Sequence, residues 1–593
     1  MEPVTELRPL DRNVARPGRL SLSRAYKIAR EIARRSGVAD ALRESIDSHT
    51  GRPMDLAWID LLAIFITHGI LGQDMHLTKV EETARDLVNA RLLTGTRSGR
   101  VTYDHIAHNL RRIEESLRHG YITSVHSHKR FDRKTGELHE CPATCTGERP
   151  IGPDQFATAL LMASAAGLPR TTTFALDSTD YETTAARRSW RKKPDVIDTE
   201  DVPDLAVSGE DFRTVEFPLV RADGRLQHSL DPDACAGYRS GKGLRPKETF
   251  LGFDLHITVP VPEPGMPPLP HLALGLVTMP AGSGKAEAGL RAVDALTDAG
   301  IPLKTLLSDR GYTYRKPEAW ALPLVGRGIA SIHNLHKNQF GVHPGPRLHT
   351  IWVDGSLYTS ALPAALRSLG GFSLGLSDAA KRELQGKYDE RRPYQLDPVP
   401  HGDRPGTMRF RGPALSRRVR CVNTPESLRA PYSVPATTCP KRPVDKDGNR
   451  GAPVCGCGVT VVVDAEEQAW TRQRTPFGST EWAALYGRRS GVEHINAEIK
   501  HNRGVKIVRH FTRVRGAIKN HILLTFALVG TNVRLLRDWH ICRSAPDPWM
   551  ELIGDADDPA WAVEHTRVKK RRKRKRAFHE AYYASRGRPL QVA

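Results

Sequence analysis

Residues Tyr486–Lys500 read YGRRSGVEHINAEIK. On a helix advancing about 100° per residue, Tyr486, Arg489, Glu493 and Lys500 fall within an arc of about 60°. Leu485, Val492, Ile495 and Ile499 occupy the adjoining side and suit packing on a sheet. One face therefore anchors the helix while the next carries bases, a carboxylate and an aromatic ring. The same spacing also describes a solvated face on which Arg489 and Glu493 make an ordinary i,i+4 pair. Gly491 is the weak point for helix continuity before Glu493.

The chain around this stretch has 593 residues, room for a large core and several domains. Its 88 Lys and Arg outnumber 67 Asp and Glu, for a formal net charge of +21. Such an excess makes nucleic acid the leading partner class. Eight cysteines in this length exclude a disulfide framework. The opening MEPVTELRPL lacks the basic-then-apolar pattern of a signal peptide. LAWIDLLAIFITHGIL, residues 56–71, contains Asp60 and His68, falls short of a membrane span and reads as a buried helix. A cytoplasmic protein without membrane contact is expected.

Residues 1–150 read as a mainly helical domain, with apolar residues such as Val101, Ile106, Leu110 and Ile113 at helical steps. Near residue 170 the pattern changes. TTTFALDST, FLGFDLHITVP, LALGLVTMP and TLLSDRGY read as strands, and residues 282–300 as a helix. This alternation predicts an α/β core whose first part spans 165–340. Residues 341–480, rich in Pro, Gly and Arg, read as an inserted β-rich and irregular region. The core resumes over 481–545 as helices, and 546–593 reads as a basic flexible tail containing RVKKRRKRKR.

Asp177 and Asp309 each end an apolar strand, a position that often carries functional groups in α/β folds. Two neighbouring strands bring such carboxylates close, and close like charges need a compensating cation. Hard oxygen ligands suit Mg2+ or Mn2+, and Glu493 as a third carboxylate lets two ions share the site. Two ions fit phosphodiester chemistry, one activating the nucleophile and one stabilising the departing oxygen. DST and DRG are equally ordinary turn sequences. Asp180, Glu182, Asp231 and Asp233 stand nearby as alternative carboxylates.

Together these residues resemble the bacterial insertion-sequence DDE transposases. Tyr486, Arg489, Glu493 and Lys500 match that family's signature spacing, while LLSDRGY and FALDST resemble its two aspartate blocks. The resemblance covers about residues 165–540. It implies an RNase H-like catalytic core, interrupted before the glutamate helix, with Asp177, Asp309 and Glu493 as catalytic metal ligands. It also implies metal-dependent cleavage at transposon ends, a hairpin step, and strand transfer by a homo-oligomer. The partners implied are double-stranded DNA at terminal inverted repeats and target DNA, in a nucleoid-associated bacterial setting. LGLVTMP departs from the family's pattern after the middle strands, which leaves the subgroup and cleavage details open.

Tyr486, Arg489, Lys500, Arg503, Lys506 and Arg509 are the expected DNA contacts, with Trp352, Trp470 and Trp482 as stacking groups. Cys421, Cys439, Cys455 and Cys457 could hold a structural zinc ion, although their spacing is irregular; free thiols are the alternative. Cys141 and Cys145 make a weaker pair of the same kind. Two other functions fit the same residues: a metal-dependent nuclease that joins no DNA, and a catalytically inactive DNA-binding repressor.

Overall fold

The computed structural model describes residues 20–47, 55–94, 96, 99–119, 151–185, 219–220, 226–227, 231, 233–239, 248–372, 375–399, 407–449, 451–502, 505–543 and 545–555. Arg503, Cys141, Cys145 and the basic run of the tail lie outside these residues.

One mixed sheet organises the core. Its strands are β1 (Thr173–Glu182), β4 (Cys235–Arg239), β5 (Glu248–Val261), β6 (Gly275–Pro280), β7 (Thr305–Ser308) and β8 (Ala330–His333); β2 (Leu219–Val220) and β3 (Leu226–Gln227) form a separate hairpin. The order is β6-β5-β1-β7-β8, with β4 sharing the outer edge of β5. β5 runs antiparallel to β1, whereas β7 and β8 run parallel to it. Every residue of β7 is buried, with Leu306 and Leu307 set between the buried hydroxyls of Thr305 and Ser308. The helix Lys285–Asp298 supplies the crossover between β6 and β7.

The N-terminal helices Leu22–Arg35, Val38–Ile46, Trp58–Ile70, Leu77–Asn89 and Tyr103–His119 share a continuous hydrophobic core with the sheet. Trp58–Ile70 is buried almost all round. It crosses the long helix Ala517–Ile541, where Phe65 stacks on Phe526 with ring centroids 5.0 Å apart. The crossing is close because Gly69 faces Gly530: a Cβ on either residue would land on the other helix's backbone. Among the described residues, no helix is long and apolar enough to cross a membrane.

Two of the alternative carboxylates have structural work at the start of Ala517–Ile541. Asp233 accepts the Ala517 N–H at 2.6 Å, and Asp231 accepts the Gly516 N–H at 3.0 Å. Negative charge here complements the helix dipole and satisfies donors that have no partner inside the helix.

Residues 342–464 leave the main sheet. They form β9 (Val342–Pro344), β10 (Thr350–Val353) and β11 (Ser356–Thr359), paired as one small sheet. β12 (Asp397–Val399), β13 (Thr407–Arg411) and β16 (Thr460–Asp464) form a second, while β14 (Val419–Arg420) pairs in parallel with β15 (Val434–Pro435). Two small apolar clusters serve this region. In the same region a buried ion pair joins Arg391 to Asp354 at 2.7 Å, and Arg391 also donates to the Leu366 carbonyl.

Gly530→Val forces the helix crossing apart and is expected to lower stability by about 1–3 kcal/mol or more, measured by urea unfolding. Burial, reinforced by Asp233, raises the Asp231 pKa from 3.8 to about 6 in the folded chain. The folded state therefore binds the extra proton, so stability falls as pH rises from about 4 to about 6 and levels off above. Asp231→Asn flattens that slope in unfolding curves recorded across the window.

Candidate metal centre

The expected acidic site lies where β7 ends beside β1: Asp309 follows the last residue of β7, but Asp177 is mid-strand, since β1 runs on to Glu182 rather than ending at Asp177 as its sequence suggested. Leu176 stands opposite Ser308 in parallel register, the last pair between the two strands, so Asp309 leaves β7 at the level where Asp177 continues β1. The segment carrying Glu493 crosses this end in four pieces. It runs α-helical over Thr480–Tyr486, 3-10 over Gly487–Arg489, α-helical again over Ser490–Ala497, and π-helical over Glu498–Asn502. The chain stays helical through Gly491, but its winding tightens before Glu493 and loosens after it.

Cations of this segment are turned onto carboxylates of the same chain. Arg489 reaches Asp177 at 3.4 Å and also donates to Glu493. Burial raises the Asp177 pKa, against the pull of Arg489. Lys500 pairs with Asp180, which accepts Arg239 Nε at 2.7 Å as well. Burial pushes the Asp180 carboxyl up, but Lys500 and Arg239 together hold it below its ordinary value. Arg239 and Arg509 approach Glu182 at 3.2 and 3.7 Å. Tyr486 lies flat on Trp482, with ring centroids 4.8 Å apart, beneath the Arg489 guanidinium. Lys506 is exposed. Of the tryptophans expected to stack on bases, Trp352 and Trp482 are buried, and Trp470 packs against Tyr314.

Among the described residues, a single group of three or more His, Cys, Asp or Glu side chains is gathered closely enough to share an ion. It is Cys421, Cys439, Cys455 and Cys457, not Asp177, Asp309 and Glu493. This corrects the sequence reading at its centre. The cation demanded by the clustered carboxylates is supplied by Arg489, and no Asp, Asp, Glu ligand set for two Mg2+ or Mn2+ ions is formed among the described residues. The expectations of a DDE transposase, of hydrolysis with strand transfer, and of a metal-dependent nuclease fall with that ligand set. The resemblance carried by the YREK spacing is corrected on the same ground. The chain matches no protein-family model and no curated protein.

The four-cysteine group is built from three turns of the insertion. Cys421 follows β14, Cys439 follows the paired strand β15, and Cys455 and Cys457 flank Gly456. All four sulfurs lie within 4.8 Å of one another. A tetrahedral zinc site with Zn–S bonds of about 2.3 Å spaces its sulfurs by about 3.8 Å, so the set fits that ion with little rearrangement. Three of the cysteines are buried and Cys439 is half-buried. No carboxylate joins the set, and soft thiolate donors favour zinc over magnesium.

Neighbouring groups hold these sulfurs in place. Asn423 donates to Cys455 Sγ at 3.4 Å and to the Pro440 carbonyl at 2.9 Å, while its oxygen accepts the Arg442 N–H at 2.7 Å. One side chain thus ties the Cys421 turn to the Cys439 turn. Arg429 donates to the Cys421 and Val422 carbonyls, wrapping the first turn from outside. The Thr359 hydroxyl lies 3.4 Å from Cys457 Sγ. Gly456 is required by close approach: a Cβ there would sit 2.5 Å from the His349 carbonyl oxygen. The sequence offered the four cysteines as a zinc set despite their irregular spacing but gave no sign of Asn423, Arg429 or Thr359, because their roles depend on how separate turns meet.

Asn423→Ala removes no ligand but frees two turns and one sulfur partner. Zinc affinity is expected to fall about 10–100-fold, measured by competition with a chromophoric chelator.

Proposed function

We propose that the protein is a zinc-stabilised DNA-binding protein whose four-cysteine module supplies a basic contact surface. The four convergent sulfurs carry the reading. The apolar cluster containing Cys421, Cys455 and Cys457 has a dozen buried members, few for a self-sufficient core. A metal cross-link supplies what so small a core lacks. When bound, zinc acts as a Lewis-acidic cross-link that keeps all four sulfurs as thiolates. Asn423 and Thr359 orient those sulfurs, and Arg429 holds the first turn.

Charge supports the choice of partner. Residues 407–449 hold nine Lys and Arg against three Asp and Glu, within a chain of net charge +21. Arg411, Arg417, Lys441 and Lys446 are exposed on this module. Such side chains suit double-stranded DNA through its phosphates, an interaction that positions without reading sequence. The strand order β6-β5-β1-β7-β8, with antiparallel β6-β5-β1 and parallel β1-β7-β8, supports an RNase H-like description of the core. That description is one of fold and carries no activity with it.

Metal analysis of the purified chain is expected to find one zinc per molecule, retained through dialysis and lost on chelation with reductant. Replacing Arg411, Arg417, Lys441 and Lys446 by Gln weakens binding to a DNA duplex. It also makes the dependence of log affinity on log salt shallower, by about 0.9 for every phosphate that the variant no longer neutralises. A zinc-free protein, or a variant with unchanged affinity and slope, would refute the reading.

A further inference from the structure

We infer that the four-cysteine centre is also an oxidation site: a peroxide converts its thiolates into the disulfides Cys421–Cys455 and Cys439–Cys457, releasing zinc while the module stays folded. The inference rests on the zinc reading above and adds a chemical reaction to it.

The pairing follows two close sulfur–sulfur contacts within a group whose four sulfurs all lie within 4.8 Å of one another. Cys421 and Cys455 sulfurs lie 3.5 Å apart, as do those of Cys439 and Cys457. Each pair joins one cysteine of the Cys455-Gly456-Cys457 turn to one of the other two turns. A disulfide bond of about 2.05 Å needs each pair to close by about 1.5 Å, a movement within reach of side-chain rotation. The half-buried Cys439 gives a small oxidant its entry, since the other three sulfurs are buried.

The reaction balances with hydrogen peroxide as the oxidant. The Cys439 sulfur attacks the O–O bond; one oxygen stays as a sulfenic acid, and the other leaves as hydroxide and takes a proton. The Cys457 sulfur then displaces the sulfenic oxygen, which leaves as water once protonated, and the first disulfide forms. A zinc ion held by the four thiolates would lose Cys439 and Cys457 as ligands and would be released as the dication. A second peroxide oxidises Cys421 and Cys455 in the same way. Two peroxides accept four electrons and, with four protons, leave as four waters.

The folded outcome follows from connectivity. Zinc joins the Cys421 turn, the Cys439 turn and the Cys455-Gly456-Cys457 turn at one point. The two disulfides join the same three turns, because the third turn holds one partner of each pair. Asn423, linking the first two turns through Pro440 and Arg442, is untouched by the oxidation. One cross-link therefore replaces another without loss of topology.

The test treats the zinc-loaded full chain with hydrogen peroxide and follows zinc release with a chromophoric chelator. Disulfide linkages are then mapped by tandem mass spectrometry without reduction, and limited proteolysis probes residues 421–457. Expected are stoichiometric zinc release, the two named linkages as the main products, and cleavage at least tenfold slower than in chain stripped of zinc under reducing conditions. Cys439→Ser is expected to retain only the Cys421–Cys455 linkage. A dominant Cys455–Cys457 bridge overturns the inference. So do sulfinic or sulfonic acids without disulfides, or an oxidised module as protease-sensitive as the stripped one. Absence of zinc in the starting protein counts against the zinc reading alone, since linkage mapping of that sample still reports the pairing.

Discussion

Strand β1 is hydrogen-bonded to β5 along its whole length and to β7 over its first four residues, and its second half carries the carboxylates Asp177, Asp180 and Glu182. That combination constrains everything packed over it. Asp177, Asp180 and Glu182 are partly withdrawn from water and need positive partners close by. The segment 480–502 meets that need with Arg489 and Lys500, and Arg239 and Arg509 extend the pairing along the strand. The alternation of 3-10, α and π winding accompanies this fit, and the apolar Val492, Ile495 and Ile499 remain buried against the core.

Much of the core was legible from local pattern. FALDST, FLGFDLHITVP and TLLSDRGY announced β1, β5 and β7 through their apolar, β-branched composition. The wheel drawn on Tyr486–Lys500 placed Arg489 and Glu493 together, and they do meet. The partners of those side chains were not legible. A helical wheel shows which residues share a face but not which charges oppose it. The carboxylates were read as ligands awaiting ions, while the chain's own guanidinium and ammonium groups already faced them. Asp231 and Asp233, also legible only as acids, turned out to cap a helix more than 280 residues away.

The insertion shows the opposite balance. Its composition announced an inserted β-rich and irregular region but not the division into three small sheets, since β14 and β15 are two residues each. Its four cysteines were visible, but their uneven spacing hid their convergence. Convergence depends on the parallel pairing of β14 with β15, which aligns the turns after them, and on the glycine that lets the third turn approach His349.

The crossing of Trp58–Ile70 with Ala517–Ile541 has a consequence for the order in which the chain can be made and folded. An early helix must wait, with its apolar surface uncovered, until a segment more than 400 residues later leaves the ribosome. The four cysteines span only residues 421–457, so their module can close while synthesis of that last long helix is still ahead. Vectorial synthesis thus separates two assembly problems. One is local and finished early; the other is global and postponed, with the exposed early helices most in need of protection from aggregation.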